Sequence, residues 1–390
     1  MLPLSGMGIM RICIADTVDW DYHVGTPLGQ PMGGMQSAAC YLAMALAAQG
    51  DDVTFLNHTR HPGEWFGVDC VSWADASATA RLRLQPFDAV VSLTANPLPF
   101  RELFGPDMRL VLWSGHADDQ PPVQVLAHEE IARLWDGFVL VSEWQRECFT
   151  RRFGLDRDRT AVLRNAIAPV FENQFASATE LAVEKKTDPV RLAYTSTPYR
   201  GLQLLMAIFP LLDRPARLEV YSSMATYAGG DTDAPYKDLY DICRNTPGSQ
   251  YVGAIPQPDL VHALRRVGIL AYPNIFAETG CIAVMEAMAS GCAVVTSSLG
   301  ALPETTEGFA TLISVSDDWY GYAREFLAAL HRSMDFVHSD AGIEHLWRQV
   351  EHINATCTWT VRARQWVDLL DAGWGLSRAG DQPSSAPPTP

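Results

Sequence analysis

The chain has 390 residues, 48% of them hydrophobic and 10% aromatic, and its formal net charge is −16. A chain of this length exceeds one ordinary hydrophobic core, so we expect two globular domains. The acidic charge argues against nucleic acid as a partner and against strong electrostatic docking on anionic lipid. Eight cysteines without a CxxC pair indicate reduced thiols rather than disulfides or a zinc site, and we expect a cytoplasmic protein with neither a signal peptide nor a membrane span.

The N-terminal part of the chain predicts a strand–loop–helix–strand unit. An apolar run at residues 10–15 is followed by a long glycine-rich loop, an alanine-rich helix at residues 35–49 and a second apolar run at residues 52–56. Gly33 and Gly34 lie directly before the helix, where a phosphate or sugar can approach unpaired backbone N–H groups. The alternative for a glycine pair is a flexible turn.

Further along, His116 lies in a polar loop that follows the predicted strand at residues 110–113. Open α/β sheets bind ligands beyond the carboxyl ends of their parallel strands, so His116 is a candidate site residue. The alternative is a surface or capping histidine.

The second half of the chain begins after a polar segment, residues 168–189, which we interpret as the crossing between domains. A new strand at residues 191–194 leads into a loop that ends with Arg200, a residue that can hold phosphate with two parallel hydrogen bonds. The last residues, 377–390, are rich in proline, serine and alanine and are expected to be disordered.

The stretch from residue 268 to residue 308 predicts the unit around which the chain is organised. It reads as a strand at 269–272, an irregular turn, a helix at 281–290 and a second strand at 293–296. Glu278 stands before the helix and Glu286 lies within it, with seven residues between them. A helix N-terminus can hold a phosphate, and carboxylates on either side can accept hydrogen bonds from hydroxyls. The alternative is that both glutamates are ordinary solvated charges.

This pattern, Glu-x7-Glu followed by AMASGCAVVTSSLGALPE, resembles the signature of retaining glycosyltransferase family 4. The family usually reads E-G-F-G where this chain has Glu278-Thr279-Gly280-Cys281. The resemblance runs from about residue 10 to residue 372. It implies the GT-B fold, an α/β architecture of two facing Rossmann-like domains, each with a doubly wound parallel sheet, and an interdomain cleft.

The resemblance also implies domain limits and site residues. Residues 1–175 would form the acceptor-binding domain, residues 188–358 the donor-binding domain, and a helix at 359–376 would cross back onto the first domain. His116, Glu278 and Arg200 are the implied catalytic residues. Arg200 replaces the family's lysine, and no basic residue fills the arginine position near Thr195. The implied donor contacts are Gly33, Gly34, Thr195, Ser196, Arg200, Gly253, Ala254, Ile255, Thr279, Gly280, Cys281, Ile282 and Glu286.

The implied reaction is transfer of a sugar, with retention of configuration, from a UDP- or GDP-type donor to an unidentified sugar, protein, lipid or small-molecule acceptor. The setting would be bacterial glycoconjugate, glycoprotein or secondary-metabolite synthesis. No cofactor or metal is implied, although Asp231 and Asp233 have the spacing of a metal-binding pair. Two alternatives stay open, a non-catalytic partner subunit and a nucleotide-sugar isomerase on the same fold. The oligomeric state is not predicted.

Overall fold

The computed structural model describes residues 8–226 and 232–373 and contains two parallel β-sheets covered by helices. Residues 1–7, the tail (377–390), the end of the predicted last helix and Asp231 lie outside the described residues. The first sheet has eight strands, in the spatial order β3-β4-β2-β1-β5-β6-β7-β8. Their bounds are β1 Arg11–Ala15, β2 Asp52–Asn57, β3 Gly63–Trp65, β4 Val68–Ser72, β5 Ala89–Ser92, β6 Leu110–Ser114, β7 Gly137–Leu140 and β8 Thr160–Val162.

All pairs in this sheet are parallel except β3 with β4. The central strands are buried on both faces, as the continuous apolar runs predicted. Five α-helices belong to this half: α1 Gly34–Gln49, α2 Ala76–Leu82, α3 Leu98–Phe104, α4 Glu129–Ala132 and α5 Glu143–Phe153. Because each follows a parallel strand, α1 and α5 begin at the edge where β1 and β7 end, which is the side that faces the second domain.

The second sheet has six parallel strands in the order β11-β10-β9-β12-β13-β14. The strands are β9 Val190–Tyr194, β10 Ala216–Val220, β11 Ser249–Tyr251, β12 Ile269–Tyr272, β13 Ala293–Ser297 and β14 Thr311–Ile313. The helices are α6 Ala178–Lys185, α7 Leu202–Ile208, α8 Lys237–Asn245, α9 Gln257–Leu264, α10 Ile282–Ala289, α11 Leu302–Thr306, α12 Trp319–His338, α13 Asp340–Thr356 and α14 Trp359–Ala372.

The last helix, α14, joins the two halves by packing against α1 of the first domain. Trp366 meets Trp113 of β6 edge to face with ring centroids 5.3 Å apart. Arg109 donates a hydrogen bond from Nη1 to the carbonyl of Leu370 at 2.6 Å. Burial of these aromatic side chains stabilises the contact by an amount on the order of 1.5–3 kcal/mol for each ring.

The segment at residues 168–189 differs from a plain polar crossing because it contains α6, which packs on α13. Lys185 at the end of α6 is fully buried, and its ammonium group donates to the carbonyls of Leu264 at 2.9 Å and Val267 at 2.7 Å. Burial lowers the pKa of Lys185 to about 8. Sequence composition did not indicate this, because a lysine pair usually marks a solvated surface.

All eight cysteines are free, and seven of them are buried. In residues 8–226 and 232–373 no helix is both long and apolar enough to cross a bilayer. Within the same residues no group of three or more histidine, cysteine, aspartate and glutamate side chains could hold a metal ion.

Candidate active site

Arg200 and Glu278 meet at the edge where the strands of the second sheet end. Arg200 closes the turn after β9, and Glu278 lies in the loop after the neighbouring strand β12. Their Nη1 and Oε1 atoms are 2.9 Å apart, and both side chains are largely buried. Gly201 permits this approach, because its φ is +106° and a Cβ there would lie 2.0 Å from the carbonyl oxygen of Pro273. The sheet topology thus brings together two residues that are 78 positions apart.

Aromatic side chains hold this ion pair in place. The Arg200 guanidinium lies 4.5 Å from the centroid of the Phe276 ring. The phenol of Tyr272 donates to Glu278, and Ser196 Oγ donates to the Tyr272 oxygen at 3.3 Å. Thr195 next to Ser196 is half-buried in the same loop. The arrangement offers a fixed cation and a fixed carboxylate to a ligand with phosphate and hydroxyl groups.

Gly33 and Gly34 face Ile282 across the cleft. Gly33 occupies the N-cap of α1, Gly34 is its first residue, and a Cβ on Gly34 would lie 3.6 Å from Cδ1 of Ile282. Ile282 is the first residue of α10, and buried Cys281 occupies the N-cap of that helix. Neither helix has an acidic residue in its first turn. Two helix N-termini, each with a partial positive charge, therefore meet at one place in the cleft.

The loop between Glu278 and α10 is in contact with the first domain. Thr279 donates from Oγ1 to the carbonyl of Gly115 at 2.6 Å, and Asn165 donates from Nδ2 to the carbonyl of Gly280 at 2.9 Å. A Cβ on Gly280 would lie 3.0 Å from Cγ2 of Val141. Gly280 is one of the implied donor contacts, and in the structure its lack of a side chain makes room for the first domain.

His116 lies beside this contact, one residue after Gly115 and directly beyond β6. Its backbone N–H donates to Ser114 Oγ at 3.2 Å. Burial lowers the pKa of His116, and the carboxylate of Asp16 at the end of β1 opposes that effect. The structure therefore places the predicted histidine at the interdomain cleft, within one residue of a contact to the Glu278 loop.

Glu286 is inside the molecule instead of at an open surface. Its Oε1 accepts hydrogen bonds from Gln257 Nε2 at 2.6 Å and from the backbone N–H of Ala168 at 3.4 Å. Tyr41 on α1 donates to Gln257, so the chain of hydrogen bonds crosses the cleft. Burial raises the pKa of Glu286 to about 8. The Glu-x7-Glu spacing predicted its importance but not this enclosure.

The implied donor contacts Gly253, Ala254 and Ile255 lie in the loop that follows β11. Gly253 adopts a φ of +84°, and Gly253, Ala254 and Ile255 are all half-buried just before α9, the helix that carries Gln257. A cavity of about 340 Å³ adjoins this loop at Val252 and Ile255. The loop and the partner of Glu286 therefore belong to one region of the second domain.

Glu304, which sequence reasoning did not single out, joins the domains from α11. Its two carboxylate oxygens accept the backbone N–H groups of Glu143 at 2.9 Å and Trp144 at 2.7 Å, in the first turn of α5. A carboxylate at a helix N-terminus is favourable because it satisfies unpaired donors and opposes the helix dipole. The sequence held only a weak signal for it, a glutamate four residues after a glycine in SLGALPE.

Known proteins resemble this chain in fold and in part of its sequence. Residues 190–332 match the family model for glycosyl transferases group 1. A glycosyltransferase from Rickettsia africae superposes with a TM-score of 0.70 at 11% identity, covering 94% of this chain and 100% of that one. Sucrose-phosphate synthase from Thermosynechococcus elongatus gives 0.71 at 16% identity, with 93% and 99% covered.

HepE from Anabaena, solved with UDP and glucose, gives a TM-score of 0.65 at 13% identity, with 93% of this chain and 100% of that one covered. A comparison with curated proteins gave no match. At these identities the likenesses show the fold, and the family model matches residues 190–332 within the second domain. The chain therefore has the GT-B fold, and its residues 190–332 are similar to the group 1 glycosyltransferase model.

Proposed function

We propose that the protein transfers a sugar from a nucleotide diphosphate donor of UDP or GDP type to an acceptor bound by the first domain. The observation that carries this proposal is the meeting of the α1 and α10 N-termini, together with the Arg200–Glu278 pair at the loop that leads into α10. Unpaired N–H groups and a guanidinium favour a diphosphate both before and after it leaves the sugar. HepE, which has the same fold, is described with UDP-glucose in another of its structures.

Arg200 and Glu278 bind different parts of the donor, the diphosphate and the sugar. Arg200 binds the diphosphate, which replaces Glu278 as the partner of the guanidinium. Glu278 then accepts hydrogen bonds from the sugar hydroxyls. The resemblance of the Glu278 and Glu286 pattern to family 4 supports retention of configuration. The acceptor hydroxyl attacks the anomeric carbon on the face from which the diphosphate departs, and its proton passes to the departing phosphate oxygen.

We further propose that the transfer is metal-independent and takes place in the cytoplasm. Arg200 and the two helix N-termini supply positive charge at the leaving group without a cation. Asp233 already accepts hydrogen bonds from the backbone N–H of Met224 at 2.7 Å, from Ser223 and from Tyr240. Eight unpaired cysteines support a reducing compartment.

A non-catalytic partner subunit is the second candidate. It is favoured by one observation: the side chain that would hold the diphosphate, Arg200, is bound to buried Glu278. A protein of this kind would bind a nucleotide-sugar weakly and would not hydrolyse or transfer it.

The test is a thermal-shift screen of nucleotide-sugars, followed by measurement of donor hydrolysis without acceptor. For the best donor, Arg200→Ala should weaken inhibition by the free nucleoside diphosphate by roughly 1.5–3 kcal/mol, the range for a charge-assisted hydrogen bond. Arg324→Ala, at an exposed position on α12, is the matched control. Equal inhibition of wild type and Arg200→Ala would assign the phosphates to other residues, and stabilisation without any hydrolysis would favour the partner subunit.

A further inference from the structure

Three successive backbone carbonyls around His116 each accept a hydrogen bond from a side chain. The amide Nε2 of Gln145 donates to the carbonyl of Ser114 at 2.9 Å and to that of His116 at 2.7 Å. Between them, Thr279 Oγ1 donates to the carbonyl of Gly115 at 2.6 Å. The backbone that carries His116 is therefore held from two sides.

Gln145 provides the restraint on this backbone that comes from the first domain. It is completely buried in the first turn of α5, and its Oε1 accepts the backbone N–H of Val141 at 2.7 Å. Ser142, the N-cap of α5, also fixes the first turn of this helix, because its side chain accepts a hydrogen bond from the backbone N–H of Gln145. These contacts do not depend on the second domain.

Thr279 provides the restraint that depends on domain closure, because it belongs to the second domain while the Gly115 carbonyl belongs to the first. Thr279 is buried between the two domains, with 8% of its surface exposed, and it directly follows Glu278. Gly280, which comes next, has no side chain, and this lets the loop approach Val141. In the resembled family a glycine, which has no hydroxyl, occupies the position of Thr279. The departure from E-G-F-G thus adds one hydrogen bond across the cleft.

We propose that Thr279 is a positioning residue that sets the His116 loop when the domains close. The inference rests on the proposed function and deepens it. When the domains separate, the Gly115 carbonyl loses the threonine hydroxyl while the bonds to Gln145 remain. The loop then has one restraint fewer, and His116 reaches its position for transfer only in the closed enzyme. Thr279 is among the implied donor contacts, but its hydroxyl is bound to the Gly115 carbonyl, so we expect its loss to leave donor affinity nearly unchanged.

The kinetic experiment compares Thr279→Val, which keeps the shape and removes the hydroxyl, with Thr279→Ser, which keeps the hydroxyl. For the donor that the nucleotide-sugar screen identifies, Thr279→Val should lower kcat about 5–10-fold, the effect of one hydrogen bond, with its Kd within twofold of wild type. Thr279→Ser should restore most of kcat. Thr311→Val, at an exposed position on β14, is the matched control.

Amide hydrogen exchange of the protein alone tests the same contact without any substrate. Exchange at residues 114–118 should be faster in Thr279→Val than in wild type or Thr311→Val. Unchanged exchange, or a wild-type kcat in Thr279→Val, would overturn the positioning role. If exchange is faster in Thr279→Val but the wild-type protein transfers no sugar, the contact between Thr279 and the His116 loop is confirmed and the proposed function is refuted.

Discussion

Glu286 is a carboxylate that the fold keeps from water, and replacing it with glutamine should flatten the dependence of stability on pH. Burial raises its pKa from 4.5 to about 8. Between these values the native protein holds a proton that the unfolded chain releases. The contribution of this bound proton to the free energy of unfolding is therefore complete below about pH 4.5 and is lost as the pH rises through 8. At about 1.36 kcal/mol per pH unit, the whole range corresponds to on the order of 5 kcal/mol.

Glutamine at position 286 keeps an oxygen for Gln257 and for the backbone N–H of Ala168 but has no proton to lose. The difference in the free energy of unfolding between wild type and Glu286→Gln should thus fall by roughly 1.4 kcal/mol per pH unit from pH 5 to pH 8. The buried ammonium of Lys185 titrates in both proteins and cancels in the difference.

Urea unfolding followed by tryptophan fluorescence at pH 5, 6, 7 and 8 measures this difference. Glu325→Gln, which removes an exposed carboxylate on α12, is the matched control and should track wild type at every pH. A difference for Glu286→Gln that stays constant from pH 5 to pH 8 would refute the assignment of a protonated carboxyl group at neutral pH.

The same protonation links Glu286 to donor binding. We propose that Glu286 accepts a hydrogen bond from a ribose hydroxyl of the donor. Such a bond favours the ionised carboxylate, so binding near pH 7 should release up to about one proton. Calorimetry in buffers of different ionisation enthalpy counts that proton, and Glu286→Gln should bind the donor more weakly and release none. Equal affinity of the two proteins, with an intact fold, would remove Glu286 from the donor site.

Three further changes test the cleft. Glu304→Gln weakens a charge-assisted contact with two N–H groups of α5 by roughly 1–3 kcal/mol, so small-angle scattering should give a larger radius of gyration; an unchanged radius would argue against a closing role. His116→Ala should lower kcat by about 10²-fold, the order for one lost transition-state donor, with little change in donor Kd, and normal turnover at saturating substrates would contradict this. Turnover should survive EDTA, whereas loss that manganese or magnesium restores would show a metal requirement.

Chain length predicted two domains, the alternation of apolar runs and helical stretches predicted an α/β architecture, and the family resemblance implied the GT-B fold. The structure and the solved structures that it resembles confirm this fold. Apolar strand residues and helix-ending glycines are local signals, so they can be interpreted from neighbouring residues. Glu278 and Glu286 were found in the same way, since both lie in one short unit whose spacing is recognisable. Arg200 was identified as a candidate because it ends the loop that follows a predicted strand, where the resembled family has a lysine.

Partners across the cleft were decided only by the tertiary structure. Thr279 and Gly115 are 164 residues apart, and Asn165 and Gly280 are 115 apart, so no local pattern pairs them. Strand order and domain closure bring these residues within hydrogen-bonding distance. The sequence determined which residues carry the charges and hydroxyls of the site. The packing of the two domains determined which of them are buried, because burial depends on surfaces that are far apart along the chain.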